Sequence, residues 1–308
     1  DDPIADISGV SYYAVMRAAR EQGVPVMLMG QGGDELFWGY SWVRAALEAS
    51  QRKSELRNGS GVGLADYLKI SKPPYSYTMG LLWLKSLGGL LSGYRQYHSD
   101  LVSPADRVVF YDSDHSFQTA SHNIHGMYTK HFNDQVLDSD PTATFTRHDP
   151  STPLDITILR LICETYLREN GIAQGDRLSM AASVELRLPL VDYRLAEIVI
   201  GLHKAHPVTK PQHKKWLQEA VREIVPPFIM SRRKRGFSPP WRSWIKALGE
   251  AYGHQLVDGY LVQHGVLHAD AARDQRRRLL PPPWAGPDLI AWRSLVLENW
   301  CRQMGGKT

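Results

Sequence analysis

The sequence predicts a helix-rich α/β fold built around a parallel strand, and three observations lead there. Val24–Met29 is a brief, continuous apolar run, with the length and composition of a strand buried in a parallel sheet. It runs directly into Gly30-Gln31-Gly32-Gly33-Asp34-Glu35, a glycine turn with two acids behind it. Several later segments then repeat apolar residues at three- and four-residue spacing, the period of a helix packed on one face.

Each element is justified in turn. Tyr12, Val15, Met16 and Ala19 mark a helix before the strand, and a second helix is predicted to start behind the acids and run to about Ala49. Gln51–Gly63 is polar and glycine-bearing, a loop by composition. From Leu64 to Arg147, prolines at 73, 74, 104 and 141 punctuate what read as short helices. Thr152–Asn170 is a clearer helix through Ile156, Leu159, Ile162, Cys163 and Tyr166, with Asn170-Gly171 as its stop. Asp176–Ser183 and Arg194–Leu202 are helical around the extended Leu188-Pro189-Leu190. Lys214–Val225 is an amphipathic helix ended by Pro226-Pro227. After Pro281-Pro282-Pro283, Asp288–Cys301 forms the last helix, with Ile290, Leu295, Leu297 and Trp300 expected to face inward.

Composition excludes several classes. At 308 residues, 43% hydrophobic and 22% charged, the chain has the composition of an ordinary globular protein, and a net charge of +4 does not imply a nucleic-acid partner. Cys163 and Cys301 stand far apart with no C-x-x-C, which suggests neither a disulfide framework nor a zinc ribbon, and a reducing cytoplasm fits. The longest apolar stretch, Met79–Leu91, is too short to span a bilayer and is interrupted by Lys85. The opening Asp1-Asp2-Pro3 leads straight into a helical pattern, as expected of a chain entered partway through a domain.

Three blocks could carry chemistry. In the first, glycines at 30, 32 and 33 let backbone come close to a ligand, and a following helix start would offer free N–H groups to phosphate. Asp34 stands where a carboxylate could hold Mg²⁺ between phosphate oxygens. The spacing is neither a Walker A nor a G-x-G-x-x-G motif, and such a turn on its own is more often a tight connection. In the second block, Asp176–Asp192, the charges of Asp176, Arg177, Glu185 and Arg187 alternate with small and apolar residues, the pattern of a part-buried ion-pair network. The third, Arg232-Arg233-Lys234-Arg235-Gly236-Phe237, reads equally as a solvated basic loop, a nucleic-acid contact or a mobile loop carrying a lysine to developing negative charge. The histidine groups His122, His125 and His131, and His264 with His268, have metal-compatible spacing but no convincing acid or cysteine to complete a site.

Taken together, these blocks resemble the synthetase domain of the asparagine synthetase family. Met29–Tyr40 is similar to the family's S-G-E-G-x-D-E-L-F-G-G-Y. Asp176, Arg177, Ser179, Met180, Ala181, Ser183, Glu185, Arg187, Pro189 and Asp192 match its D-R-x-S-M-A-x-S-x-E-x-R-x-P-x-x-D. Lys214–Ala220 resembles its K-x-x-L-R-E-A helix, and Arg232, Lys234, Gly236 and Phe237 match its R-x-K-x-G-F loop.

The resemblance implies a partial Rossmann-like parallel sheet of the PP-loop pyrophosphatase kind with a large helical lobe. It implies a nucleotide-core remnant over 1–50, a variable, mainly helical segment over 51–150 and a helical C-terminal part over 151–308. The implied reaction joins a small carboxylate to ammonia or another amine using ATP and Mg²⁺: the carboxylate is adenylated, pyrophosphate leaves, and the amine displaces AMP. Met29, Gly30, Gln31, Gly32, Gly33, Lys215 and Lys234 would line ATP and pyrophosphate, and Asp34 would hold the metal. Lys234 would be the catalytic loop lysine. The family's S-G-G-x-D-S loop and glutaminase domain are not in this sequence, so the chain is expected to hold part of an ATP site and to be inactive alone; a homodimer is left open. Gln31 stands where asparagine synthetases carry Glu, and an amide cannot take a proton from ammonium. That substitution weakens asparagine as the product, with peptide or metabolite cyclisation or amidation, or a non-catalytic binding module, as alternatives; Glu169 is the nearest substitute base.

Overall fold

The computed structural model describes residues 2–57, 107–110, 124–136, 143–146, 149–230, 232, 239–282, 285–286 and 288–305. The predicted helix–strand–loop–helix opening is present. Helix α1 (Gly9–Glu21) buries Met16 and leads to strand β1 (Val26–Leu28), and helix α2 (Ser41–Arg57) follows the glycine loop. β1 is shorter than its apolar run, and Leu28 is 69% exposed rather than buried.

Its partner was not foreseen. Strand β2 (Glu185–Arg187) pairs parallel to β1, with Val26 opposite Glu185, Met27 opposite Leu186 and Leu28 opposite Arg187. The ladder extends at both ends: Glu185 N–H donates to Pro25 O, and Met29 N–H to Arg187 O. Met16, Ala182 and Val184 pack beneath this pair with Tyr12, Met27, Met29 and Leu186. The fold class is therefore the expected one, a helix-rich α/β structure with a small parallel sheet.

Several boundaries differ from the sequence reading, each for a tertiary reason. Residues 51–57 continue α2 instead of forming a loop, because Ser50 and Lys53 are tied into the core: Ser50 Oγ accepts from Val109 N–H and Lys53 Nζ donates to Arg107 O. The short helix α3 (Lys130–Gln135) is capped by the Thr129 hydroxyl. Most of the expected short helices over 64–147 lie outside the described residues.

Helix α4 (Leu154–Ile162) does not stop at Asn170-Gly171. It continues through a π-helical stretch (Cys163–Ala173) into α5 (Gln174–Ala181). Gly171 serves close approach there: a Cβ on it would come within 2.9 Å of Leu167 Cδ1 and 3.7 Å of Gln31 Cγ. Wide helical turns of this type occur disproportionately at functional sites.

Helix α6 (Tyr193–Ala205) matches expectation and is capped by Asp192, whose carboxylate accepts from Arg194 N–H. Helix α7 (Lys215–Ala220) is shorter than predicted, since Lys214 adopts a left-handed conformation (φ 50°) and residues past Ala220 form turns. After α8 (Pro227–Met230), helices α9 (Trp241–Tyr252), α10 (Tyr260–Gln263), α11 (Ala269–Leu279) and α12 (Leu289–Gly305) surround a core of Ile245, Leu256, Leu279, Trp292 and Leu295. On α12 the buried residues are Ala291, Trp292, Leu295 and Glu298, whereas Leu297 is on the exposed side. Glu298 is buried because its carboxylate accepts the N–H groups of Tyr260 and Leu261 at the start of α10.

Candidate functional site

The glycine loop leaves the carboxyl end of β1, where ligands bind in open parallel sheets. Residues 31–38 form successive turns, so no helix starts directly behind the acids; α2 begins only at Ser41. Gly30 is open, with nothing near the place of a Cβ, whereas Gly32 has φ +91° and a Cβ there would lie 2.6 Å from Leu190 O. Gly39 admits Asp34, since a Cβ at 39 would fall on the Asp34 carboxylate.

The two acids have separated duties. Glu35 is buried and turned back on the loop: its carboxylate accepts Gly32 N–H (2.9 Å) and the Tyr40 hydroxyl (2.8 Å). Burial, together with the Glu35 carboxylate, pushes the Tyr40 phenol far above its ordinary pKa, so it stays a donor. Asp34 is part-exposed and paired at 2.9 Å with Lys214 Nζ. Lys214 is held there by its own N–H, which donates to Phe37 O (2.8 Å). Asp34 is thus a single carboxylate facing an amine, fit to share a cation with phosphate oxygens but not to cage one alone.

Gln31 lies between the π-helical stretch and α1. Its Nε2 donates to the Tyr12 hydroxyl (2.7 Å), and its Oε1 is buried without a hydrogen-bond partner. Burial raises the Tyr12 phenol above its usual range, although the bond from Gln31 works in the opposite direction.

The remaining predicted residues are placed as follows. Met29 packs into the Met16 cluster. Lys215 is more than half exposed, and its amine stands 4.0 Å from Glu219; Lys214 is the lysine brought to the loop, and it is also the first residue of the Lys214–Ala220 motif. Glu169 is exposed and bonded to Arg168 (2.8 Å). Lys234 lies outside the described residues. Glu185 and Arg187 are paired at 2.8 Å but exposed, and Arg177 pairs with Asp2 at 2.6 Å, so the expected part-buried network resolves into separate, largely exposed pairs. The short spacing of strand partners on β2 explains this: Glu185 and Arg187 lie on the same face, outward. Tyr12 and Lys214 were not singled out by sequence; for Lys214 the motif position was the available signal.

Below the site, His203 is buried, with Nδ1 3.8 Å from Asp155 and Nε2 accepting from Trp38 Nε1 (3.4 Å). Burial opposes ionisation of Asp155, but His203 and the amides of Val208 and Ile156 outweigh it and hold its carboxyl below the usual range. Among the described residues, no group of three His, Cys, Asp or Glu is arranged to hold a metal, and no helix is long and apolar enough to cross a membrane. His125 Nδ1 is engaged with Asn133 (3.0 Å) and His264 stacks on Tyr260.

Comparison with known proteins decides the family. The asparagine synthase family model matches residues 1–291. This chain belongs to the asparagine synthase family. A Mycobacterium bovis protein named "Putative asparagine synthetase (glutamine-hydrolyzing)" is 26% identical, covering 97% of the chain and 43% of its own length. Asparagine synthetase (glutamine-hydrolyzing) 1 of Bacillus subtilis is 23% identical over 97% of the chain and 45% of its own length. Amidase chyE of Penicillium rubens is 23% identical over 79% of the chain and 36% of its own length. The chain therefore spans less than half the length of these relatives. No solved structure matches it.

Proposed function

We propose that the protein containing this chain is an ATP-dependent amide-forming ligase that activates a carboxylate as its acyl adenylate. The pairing of Asp34 with Lys214 at the rim of the glycine loop carries this reading. A cation and an anion held 2.9 Å apart, part-exposed, present complementary partners for a polyphosphate: the amine takes phosphate oxygens, and the released carboxylate takes the divalent cation that accompanies them. Mg²⁺, when bound through Asp34 and phosphate oxygens, would neutralise charge on the departing pyrophosphate.

In the reaction, a substrate carboxylate oxygen bonds to the α-phosphorus of ATP and the α–β phosphoanhydride bond breaks, releasing pyrophosphate. An amine nitrogen then bonds to the acyl carbon, the bond to AMP breaks, and the nitrogen loses a proton. Glu35 takes no part in either step; it fixes the loop by holding Gly32 N–H and Tyr40. Lys234 is assigned the second cation on the developing charge by its place in the R-x-K-x-G-F motif, where an interaction made only in the transition state raises turnover.

The product need not be asparagine, and Gln31 is the reason for weighing a second acceptor. One N–H of Nε2 is given to Tyr12, and the buried, unpartnered Oε1 can accept an N–H but cannot remove a proton. An amine reaching that oxygen as its neutral form, within a peptide or metabolite, suits such a group better than ammonium. The test is asparagine formation from aspartate, saturating ATP and free ammonia by the whole protein. Wild type is expected to be poor, and Gln31→Glu better by up to ~10²–10⁴-fold, the usual worth of a general base. Efficient asparagine synthesis by wild type, lowered by Gln31→Glu, would overturn the assignment of Gln31.

A further inference from the structure

Within Met29–Tyr40, Trp38 stands where the pattern S-G-E-G-x-D-E-L-F-G-G-Y carries the first of its two adjacent glycines. The exchange is costly for the backbone. Trp38 is left-handed (φ 59°), a conformation that glycine adopts freely and that disfavours a residue with a Cβ. Its buried indole is held in return: Nε1–H donates to Nε2 of His203 (3.4 Å), a ring that is itself buried.

His203 is anchored on three sides. Accepting at Nε2 leaves its proton on Nδ1, where Asp155 stands 3.8 Å away. Asp155 also accepts the amides of Ile156 in α4 and of Val208, in the segment that leads to Lys214. The third side is Trp216, two residues beyond Lys214, with ring centroids 4.4 Å apart. His203 therefore touches both arms of one hydrogen bond, that from Lys214 N–H to Phe37 O (2.8 Å). Trp38 follows Phe37 directly, and its φ turns the planar peptide unit that carries Phe37 O. A Trp38 outside the left-handed region would swing that oxygen off Lys214. Lys214, left-handed as well (φ 50°), would lose the tie that helps direct its amine to Asp34, 2.9 Å away.

We propose that His203 is the positioning residue for Lys214: by accepting the Trp38 indole N–H it holds Trp38 left-handed, which aims Phe37 O at Lys214 and sets the amine on Asp34. A glycine would hold the same backbone without a clasp; tryptophan at 38 makes His203 necessary. The catalytic consequence rests on the ligase reading, whereas the placement of the amine does not.

Competitive acetylation of the whole protein, with Lys214 read against its more exposed neighbour Lys215 by fragment-ion mass spectrometry, tests the placement. His203→Leu accepts no hydrogen bond and is expected to raise the Lys214-to-Lys215 labelling ratio at least about threefold, as a modest, part-exposed ion pair is lost. His203→Gln, whose amide oxygen can accept the indole N–H, should hold the ratio near that of wild type. Should His203→Leu fail to fold, Trp38→Phe removes the donor while keeping a ring, and the same rise is expected. In NMR of isotopically labelled tryptophan, the Trp38 indole proton should move upfield in His203→Leu and keep its place in His203→Gln. An unchanged ratio in folded His203→Leu or in Trp38→Phe, or a rise as large in His203→Gln, would overturn the proposal. A raised ratio with undiminished ATP-dependent turnover would leave the placement standing and remove Lys214 from the ligase reading instead.

Discussion

Replacing Gly32 by alanine should cost far more than the same change two residues earlier, and the structure sets the size of the difference. Gly32 has φ +91°, a conformation in which a side chain costs ~1–2 kcal/mol. Its new Cβ would also stand 2.6 Å from Leu190 O and 3.0 Å from Leu190 C, backbone atoms that cannot rotate aside. Moving a packed segment to admit an extra carbon costs a further ~1–3 kcal/mol. The expected loss is therefore ~2–5 kcal/mol, a large share of the ~5–15 kcal/mol that holds a typical domain together. Gly30 has neither feature: its φ is ordinary and nothing lies within 4 Å of an added Cβ. Gly30→Ala should stay within ~0.5 kcal/mol of wild type. Urea denaturation of both variants, followed by tryptophan fluorescence, measures the two together. If Gly32→Ala were as stable as Gly30→Ala, the close packing of the glycine loop on the Leu190 turn would be wrong.

Asp34 and Lys214 should couple: in a double-mutant cycle with Asp34→Asn and Lys214→Met, an interaction of ~0.5–3 kcal/mol in stability is expected, and strict additivity would dissolve the pair. Asp155, whose carboxyl is held below its ordinary range, adds stability that is present above its unfolded pKa of ~3.9 and lost as pH falls through the lower folded value. Asp155→Asn should thus be less stable than wild type at pH 7 by ~1–3 kcal/mol, with the gap closing below about pH 4; a gap constant with pH would refute the assignment. In the whole protein, Lys234→Ala should lower turnover strongly with little change in ATP affinity, whereas Arg232→Ala should be mild, Arg232 being exposed. Equal losses in turnover assays would mean a diffuse basic patch.

The glycine loop, the strand before it and the helices on either side were legible because each rests on local chemistry: an apolar run, turn residues and a 3.6-residue period. What escaped was set by partners distant in sequence. β2 is three residues long and carries two charges, Glu185 and Arg187, so its pattern does not announce a strand; only pairing with β1 makes it one. Asn170-Gly171 has the composition of a helix stop, yet the helix continues into α5, whose Gln174 and Leu178 lie against Gly9 of α1, 3.0 and 3.3 Å from the place of a Cβ. Residues 51–57 look like a polar loop, yet Lys53 is buried and donates to Arg107 O, a residue more than fifty positions away. Lys214 and Lys215 are adjacent and alike in sequence; the left-handed turn at Lys214 directs one amine to Asp34 and leaves the other in solvent.

Among the described residues, four non-glycine residues have positive φ: Trp38, Ser183, Lys214 and Asp258. Such conformations cost ~1–3 kcal/mol and persist only where the surroundings over-determine them. Ser183 and Asp258 lie in connections, between α5 and β2 and just before α10, where Ser183 N–H simply closes a turn onto Met180 O. Trp38 and Lys214 are different, because each is restrained from several directions. Trp38 O accepts from Arg44 Nη1 (2.5 Å) and its indole donates to His203, while Lys214 is tied through its N–H to Phe37 and through Nζ to Asp34. Lys214 is thus bonded to Phe37, the residue next to Trp38, across a sequence separation that no local propensity could enforce. A fold needs neither strain to close a turn here; what the pair secures is an amine and a carboxylate held in contact at the mouth of β1. Where local preference is overruled twice at one place and the result is a placed pair of opposite charges, the strain sits where the proposed ligase function needs its amine and carboxylate.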